Sequence, residues 1–243
     1  MKHERREINK DTGLVQITLE NERWYGDDIS KTYYPSSSWI CSVWPKGYQL
    51  MKWIADNGWE ESQKIKNEAG ERGSNVHEGI SLLLLNQELH IDNYSYEEWM
   101  AIMSFVAWWK KTKPTLLATE VSGINHEVGY GGTIDLICMI NNELWVIDYK
   151  TSQSIYKEYE LQISSYGELA KCIDIGLDIS KMPINLGILQ IGYKLNKQKY
   201  KFKKIENQMD LFLSAKKIWA EENKNQNPRQ IEMPITLSIS INK

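Results

Sequence analysis

The chain has 243 residues, 42% of them hydrophobic and 25% charged, with a formal net charge of −3. That length and apolar share suffice for the core of one large domain and leave no compositional case for disorder. No apolar run reaches membrane-spanning length, and the opening MKHERREINK is too polar for a signal peptide, so a soluble, cytoplasmic protein is expected. Cys41, Cys138 and Cys172 are too scattered for a disulfide framework or a cysteine metal cluster.

Residues 1–34, containing LVQITLE and RWYGDD, read as an N-terminal arm or a strand pair leading to Pro35. The serines of PSSSWICSVW offer an N-cap, and Leu50, Trp53 and Ile54 are spaced for a short helix that Asn57-Gly58 ends. A second helical stretch runs from Trp59 to Glu68, and GERGSNVHEGISLLLLNQ restarts a helix that carries His77 near its beginning. Ser95 and Glu98 stand at capping-box spacing ahead of a helix that closes on lysines and Pro114. Three β-rich runs follow, TLLATEVSGI, GTIDLICMI and ELWVIDYKT, separated by Gly and Asn turns. A helix over about Glu158 to Ile173, strands in INLGILQIGYK and QKYKFKKIE, and a helix around Met209 to Glu222 complete the order. The pattern predicts a single α/β domain over 1–243 with a mixed central sheet flanked by helices. Segments 1–34 and 206–243, the latter a helix and tail, are expected as its appendages.

Asn141-Asn142 suits a two-residue hairpin turn, because Asn tolerates the left-handed backbone that such turns need. Counting outward from that turn, Asp135 faces Asp148 on one side of the sheet, and strand alternation adds Lys150 opposite Thr133. Two carboxylates in apolar strands repel each other and resist desolvation, so the pattern calls for a cation. Carboxylate oxygens favour a hard divalent ion, Mg²⁺ or Mn²⁺. Lys150 simply pairing with an aspartate at a strand end explains the same residues without chemistry.

In order along the chain, RGSNVHEGI, GGTID, VIDYKTS and LQISSY, covering about His77 to Tyr166, resemble the PD-(D/E)XK nuclease superfamily in its RecB-like and phage exonuclease branch. The resemblance implies a restriction-endonuclease-like core and a metal-dependent DNA nuclease, an exonuclease of phage or recombination and repair type, using one or two Mg²⁺ or Mn²⁺ ions. It implies metal binding by His77, Asp135, Asp148 and the Tyr149 backbone carbonyl, with Glu120 a further ligand directly or through water. Lys150 becomes the lysine that orients or activates the attacking water, and Gln162 and Tyr166, at i and i+4 on a helix, line the site. Asp148 departs from the commoner glutamate at its position. No cysteine follows Cys172, so the iron–sulfur cluster of some relatives is not expected. DNA is the implied partner, with a recombination or single-strand-annealing protein and a homo-oligomer as further candidates.

Lys197, Lys199, Lys201 and Lys203 alternate onto one face of KLNKQKYKFKK, which suits tracking of DNA phosphates. A solvated edge strand guarded by lysine has the same pattern. Two other classes stay open: a catalytically silent DNA-binding or assembly protein that keeps the fold, and a metal-independent hydrolase with two carboxylates. The second leaves Lys150 without a task and gives a sugar little room between facing aspartates.

Overall fold

The computed structural model describes residues 4–19, 21–27, 29–192 and 199–228. The expected arm or strand pair is an antiparallel meander of four short strands, β1 (Glu4–Asn9), β2 (Leu14–Thr18), β3 (Arg23–Asp27) and β4 (Thr32–Pro35). Val15 and Ile17 of β2 are buried, as are Trp24 and Tyr25 of β3, so this sheet has a packed side. Ser36 then caps α1 (Ser37–Cys41) by accepting the Trp39 N–H at 3.1 Å, and bridges in parallel to Gly131 in the second sheet.

The helix α2 (Tyr48–Asn57) ends at Gly58, whose φ of 78° supplies the left-handed break that Asn57-Gly58 suggests. The two helical stretches expected next are one helix, α3 (Trp59–Leu84), so His77 lies well inside it rather than near a start. Gly70 and Gly73 weaken that helix but do not stop it, because each costs only about 1 kcal/mol relative to alanine. Val76 and Ile80 in its later half are buried against Ala101, Ile102 and Phe105 of α4 (Tyr96–Thr112). The latter has the capping box expected at Ser95 and Glu98, and Lys113 in left-handed conformation ends it.

The larger sheet has the order β5-β6-β7-β8-β9. β5 (Thr115–Asn125), β6 (Tyr130–Ile140) and β7 (Glu143–Lys150) form an antiparallel meander; β8 (Ile184–Ile191) runs parallel to β7, and β9 (Tyr200–Ile205) antiparallel to β8. A parallel neighbour requires a crossover, and α5 (Lys157–Ala170) makes it. Helices cover both faces, which is why β7 reads as a continuous apolar run. On one face Ile137, Leu144, Val146 and Ile188 meet Leu161 and Leu169 of α5 and Phe212 of α6 (Met209–Glu222). On the other, Trp145, Ile147 and Tyr149 meet α3 and α4.

Side chains of β2, β3 and α6 join the first of these cores. Trp24 of β3, Trp39 of α1 and Trp219 of α6 meet edge to face, with ring centroids 4.9 to 6.1 Å apart. Among the described residues, no helix is long and apolar enough to cross a membrane.

Candidate metal centre

The hairpin turn lies where the two asparagines suggest, Asn141 and Asn142 having φ values of 52° and 63°. From it the β6–β7 ladder runs outward from Ile140 with Glu143 to Leu136 with Ile147, so Asp135 and Asp148 are the next facing pair. On the other side of β6, the register of Thr119 with Leu136 and Val121 with Ile134 sets Glu120 opposite Asp135. Glu120, Asp135 and Asp148 therefore form a row across three neighbouring strands. Past the ladder, the Tyr149 N–H donates to Asp135 Oδ2 at 2.7 Å. Glu120 has φ 50°, a left-handed conformation uncommon for a strand glutamate and costly by about 1–3 kcal/mol.

Two cations reach this row, one from a helix and one from β7 itself. His77 of α3 brings Nδ1 to 3.3 Å from Asp135 Oδ1 and 3.8 Å from Glu120 Oε1, its ring edge-on to Tyr149 at 5.5 Å. Lys150 Nζ lies 2.7 Å from Asp148 Oδ2 and donates to Gln162 Oε1 at 3.0 Å. Gln162 Nε2 in turn donates to the Tyr166 hydroxyl at 2.8 Å. Asp135 and Asp148 are almost fully buried, whereas the side chains of His77 and Glu120 are 26% and 34% exposed, so an ion held here would enter from their side.

Charge in the cluster follows from this geometry. Burial opposes protonation of His77, but the Asp135 and Glu120 carboxylates outweigh it and raise the imidazole to about 10. Burial also opposes ionisation of Asp135, and His77 outweighs it, holding that carboxyl below the usual range. Asp148 is raised, chiefly by burial, with Asp135 repelling it as well. Lys150 is raised despite burial, because Asp148 and Asp135 stabilise its charge. Three carboxylates thus face two cations, and loss of the His77 proton leaves a deficit of two charges that one divalent ion matches.

His77, Glu120 and Asp135 each offer a ligand atom, all within 4.8 Å of one another, which suits a single divalent ion with an imidazole and two carboxylates. Asp148 stands outside that trio, engaged by Lys150. Gln162 and Tyr166, expected to line the site, join it through the hydrogen-bond chain from Lys150.

The glycines of GGTID have a packing reason. A Cβ on Gly131 would sit 2.3 Å from Tyr25 Cβ, and one on Gly132 would sit 2.7 Å from the Tyr166 ring. Both tyrosines can therefore lie directly against β6. Tyr25, which sequence reasoning passed over, shares a hydrogen bond with Thr133 Oγ1 at 2.9 Å and accepts one from Gln16 at 2.7 Å, docking the N-terminal sheet beside the site. Nothing in RWYGDD alone marks it. Tyr159 was also missed; its ring lies 4.6 Å from Lys150 Nζ, and its spacing to Gln162 and Tyr166, i+3 and i+7, was the available signal.

Of the four alternating lysines, Lys197 lies outside the described residues. Lys199 precedes β9, and Lys201 and Lys203 lie on it, at the sheet edge. The register aligns Lys150 with Gln190 and Lys201, and Asp148 with Ile188 and Lys203, so those two lysines extend the site's rows to that edge. Lys203 is held there by Glu160 of α5 at 2.7 Å. Tyr200 and Phe202 pack toward the opposite core.

No model of a known protein family matches this sequence, and no curated protein matches it.

Proposed function

We propose that the protein is a divalent-metal-dependent deoxyribonuclease of the PD-(D/E)XK superfamily, with a restriction-endonuclease-like core and exonuclease action of the phage or recombination type. The observation that carries this reading is the row of Glu120, Asp135 and Asp148 across β5, β6 and β7, with His77 completing a three-ligand cluster and Lys150 beside it. The order of a histidine-bearing helix, a three-strand meander, a crossover helix and a parallel strand supports the fold assignment.

Hydrolysis of a phosphodiester needs an activated water, neutralisation of charge developing on the phosphate, and support for the departing oxygen. A Mg²⁺ or Mn²⁺ ion bound there would supply Lewis-acid chemistry at the phosphate. His77, Glu120 and Asp135 would hold the ion. Lys150, kept cationic by Asp148 and aimed by Gln162, orients the attacking water and offsets negative charge. Tyr166 fixes Gln162 and, through its fit against Gly132, fixes α5 on the sheet.

Linear and closed circular DNA incubated with wild type and Asp148→Ala in Mg²⁺, Mn²⁺ or EDTA test the reading. Metal-dependent loss of linear DNA, with circles spared and the variant inactive, is expected. Loss of circles would change the assignment to endonuclease, and no cleavage of either form would remove it. One observation favours a second reading, a silent DNA-binding protein: the His77 imidazolium already offsets Asp135 and Glu120 without an ion. Cleavage separates the two.

A further inference from the structure

An aromatic pair leads from Lys150 to solvent. Lys150 Nζ lies over the Tyr159 ring at 4.6 Å from its centroid, and Tyr159 meets the ring of Tyr156 at 5.4 Å. Tyr159 is partly buried against the core, as is Ile155, whereas Tyr156 is 50% exposed at the head of α5. On the other side, Gly73 of α3, one turn before His77, faces Thr151, where an added Cβ would make an ordinary contact at 3.4 Å from Oγ1. The chain after Lys150 thus passes α3 at Thr151, and at Tyr156 it presents an exposed aromatic ring that the hydrolytic chemistry does not use.

We infer that Tyr156 is a nucleobase-stacking subsite that selects an unpaired strand end as substrate. This rests on the nuclease reading, because the ring's relevance comes from its place one ring beyond Tyr159, over which lies the lysine assigned to the scissile phosphate. A phosphate held at Lys150 leaves its own or the neighbouring base within reach of a ring two aromatic spacings away. Stacking suits such a position because every base offers a π-face, which makes the interaction tolerant of sequence. Inside a duplex both faces of a base are occupied. At a blunt end the terminal pair exposes one face while pairing still fixes the base's orientation, so an unpaired base, free to turn onto the Tyr156 ring, gains most from it. Tyr159 holds the Tyr156 ring edge-on and is thereby a positioning residue.

The test compares wild type, Tyr156→Ala, Tyr156→Phe and Tyr156→Trp in Mn²⁺ on a single-stranded oligonucleotide and on the same sequence as a blunt duplex. Base–aromatic stacking has a strength that corresponds to about 5- to 150-fold in affinity. The expected result is a KM for the single strand raised about tenfold or more in Tyr156→Ala, with a smaller effect on kcat, and restored by Phe and Trp. Circular dichroism confirms that the alanine variant is folded. If wild type cleaves DNA and Tyr156→Ala has an unchanged KM on the single strand, the stacking subsite is wrong while the nuclease reading stands. If wild type cleaves neither substrate, both fall together. A blunt duplex preferred over the single strand by wild type also overturns the selection of unpaired ends.

Discussion

In the proposed metal centre, protonation of His77 is linked to metal binding with a definite sign and size. Asp135 Oδ1 at 3.3 Å and Glu120 Oε1 at 3.8 Å raise the imidazole from 6.5 to about 10, so the metal-free protein carries an imidazolium at neutral pH. An ion that takes a ring nitrogen must displace that proton, because only neutral imidazole is a ligand. Affinity therefore rises with pH as long as His77 is protonated in the free protein, and levels off near pH 10. One displaced proton makes the dependence tenfold per pH unit, about 1.4 kcal/mol. Between pH 7 and 9 the dissociation constant for Mg²⁺ should fall about a hundredfold. Titration calorimetry in two buffers of different ionisation enthalpy measures both quantities, the constant and the number of protons released, expected to be one. His77→Gln should weaken binding and remove the slope. A constant that is flat from pH 7 to 9, with no proton release, refutes the placement of His77 at the metal. The same shift implies that the metal-free protein is stabilised by the His77 ion pairs below about pH 6.5 and loses that contribution as pH rises toward about 10.

Other perturbations test separate parts of the site. Lys150→Ala should keep metal binding, measured by Mn²⁺ calorimetry, and lower kcat by roughly a hundredfold or more, as loss of a proton-transfer or charge-stabilising group does; cleavage at the native rate contradicts its role. Gly131→Ala forces a Cβ against Tyr25 and should destabilise the fold by about 1–3 kcal/mol in urea unfolding, and an unchanged midpoint would mean that the N-terminal sheet docks otherwise. Replacing Lys199 and Lys201 by alanine should reduce the slope of log K against log salt for duplex DNA by up to about 0.9 for each phosphate that is no longer neutralised. An unaltered slope assigns those lysines to guarding the sheet edge.

The parts of this fold that are legible in the sequence are those governed by local chemistry. The asparagine pair that favours left-handed backbone sets the β6–β7 register and hence the facing of Asp135 and Asp148, and a reciprocal Ser95–Glu98 cap marks the start of α4. What escapes is settled by packing between distant segments. Gly70 and Gly73 read as breaks, yet the later half of α3 is secured by burial of Val76 and Ile80. The four N-terminal strands are short, and β1 is largely exposed, so their apolar pattern is weak until Trp24 and Tyr25 meet partners far along the chain. Glu120 is a strand acid by sequence; its approach to His77 goes with a left-handed backbone that no residue pattern announces.

The most direct measurement follows metal occupancy and DNA cleavage in the same samples, with Mn²⁺ titrated into wild type and Asp135→Ala. Asp135 meets His77 with one oxygen and the Tyr149 N–H with the other, so its loss removes one of the three candidate ligands and the contact that places it. Cleavage of linear DNA that rises in step with binding, and the absence of both in the variant, is the predicted result. Cleavage by Asp135→Ala at the native rate, or by wild type in EDTA, would contradict a metal-dependent nuclease centred on this row of acids.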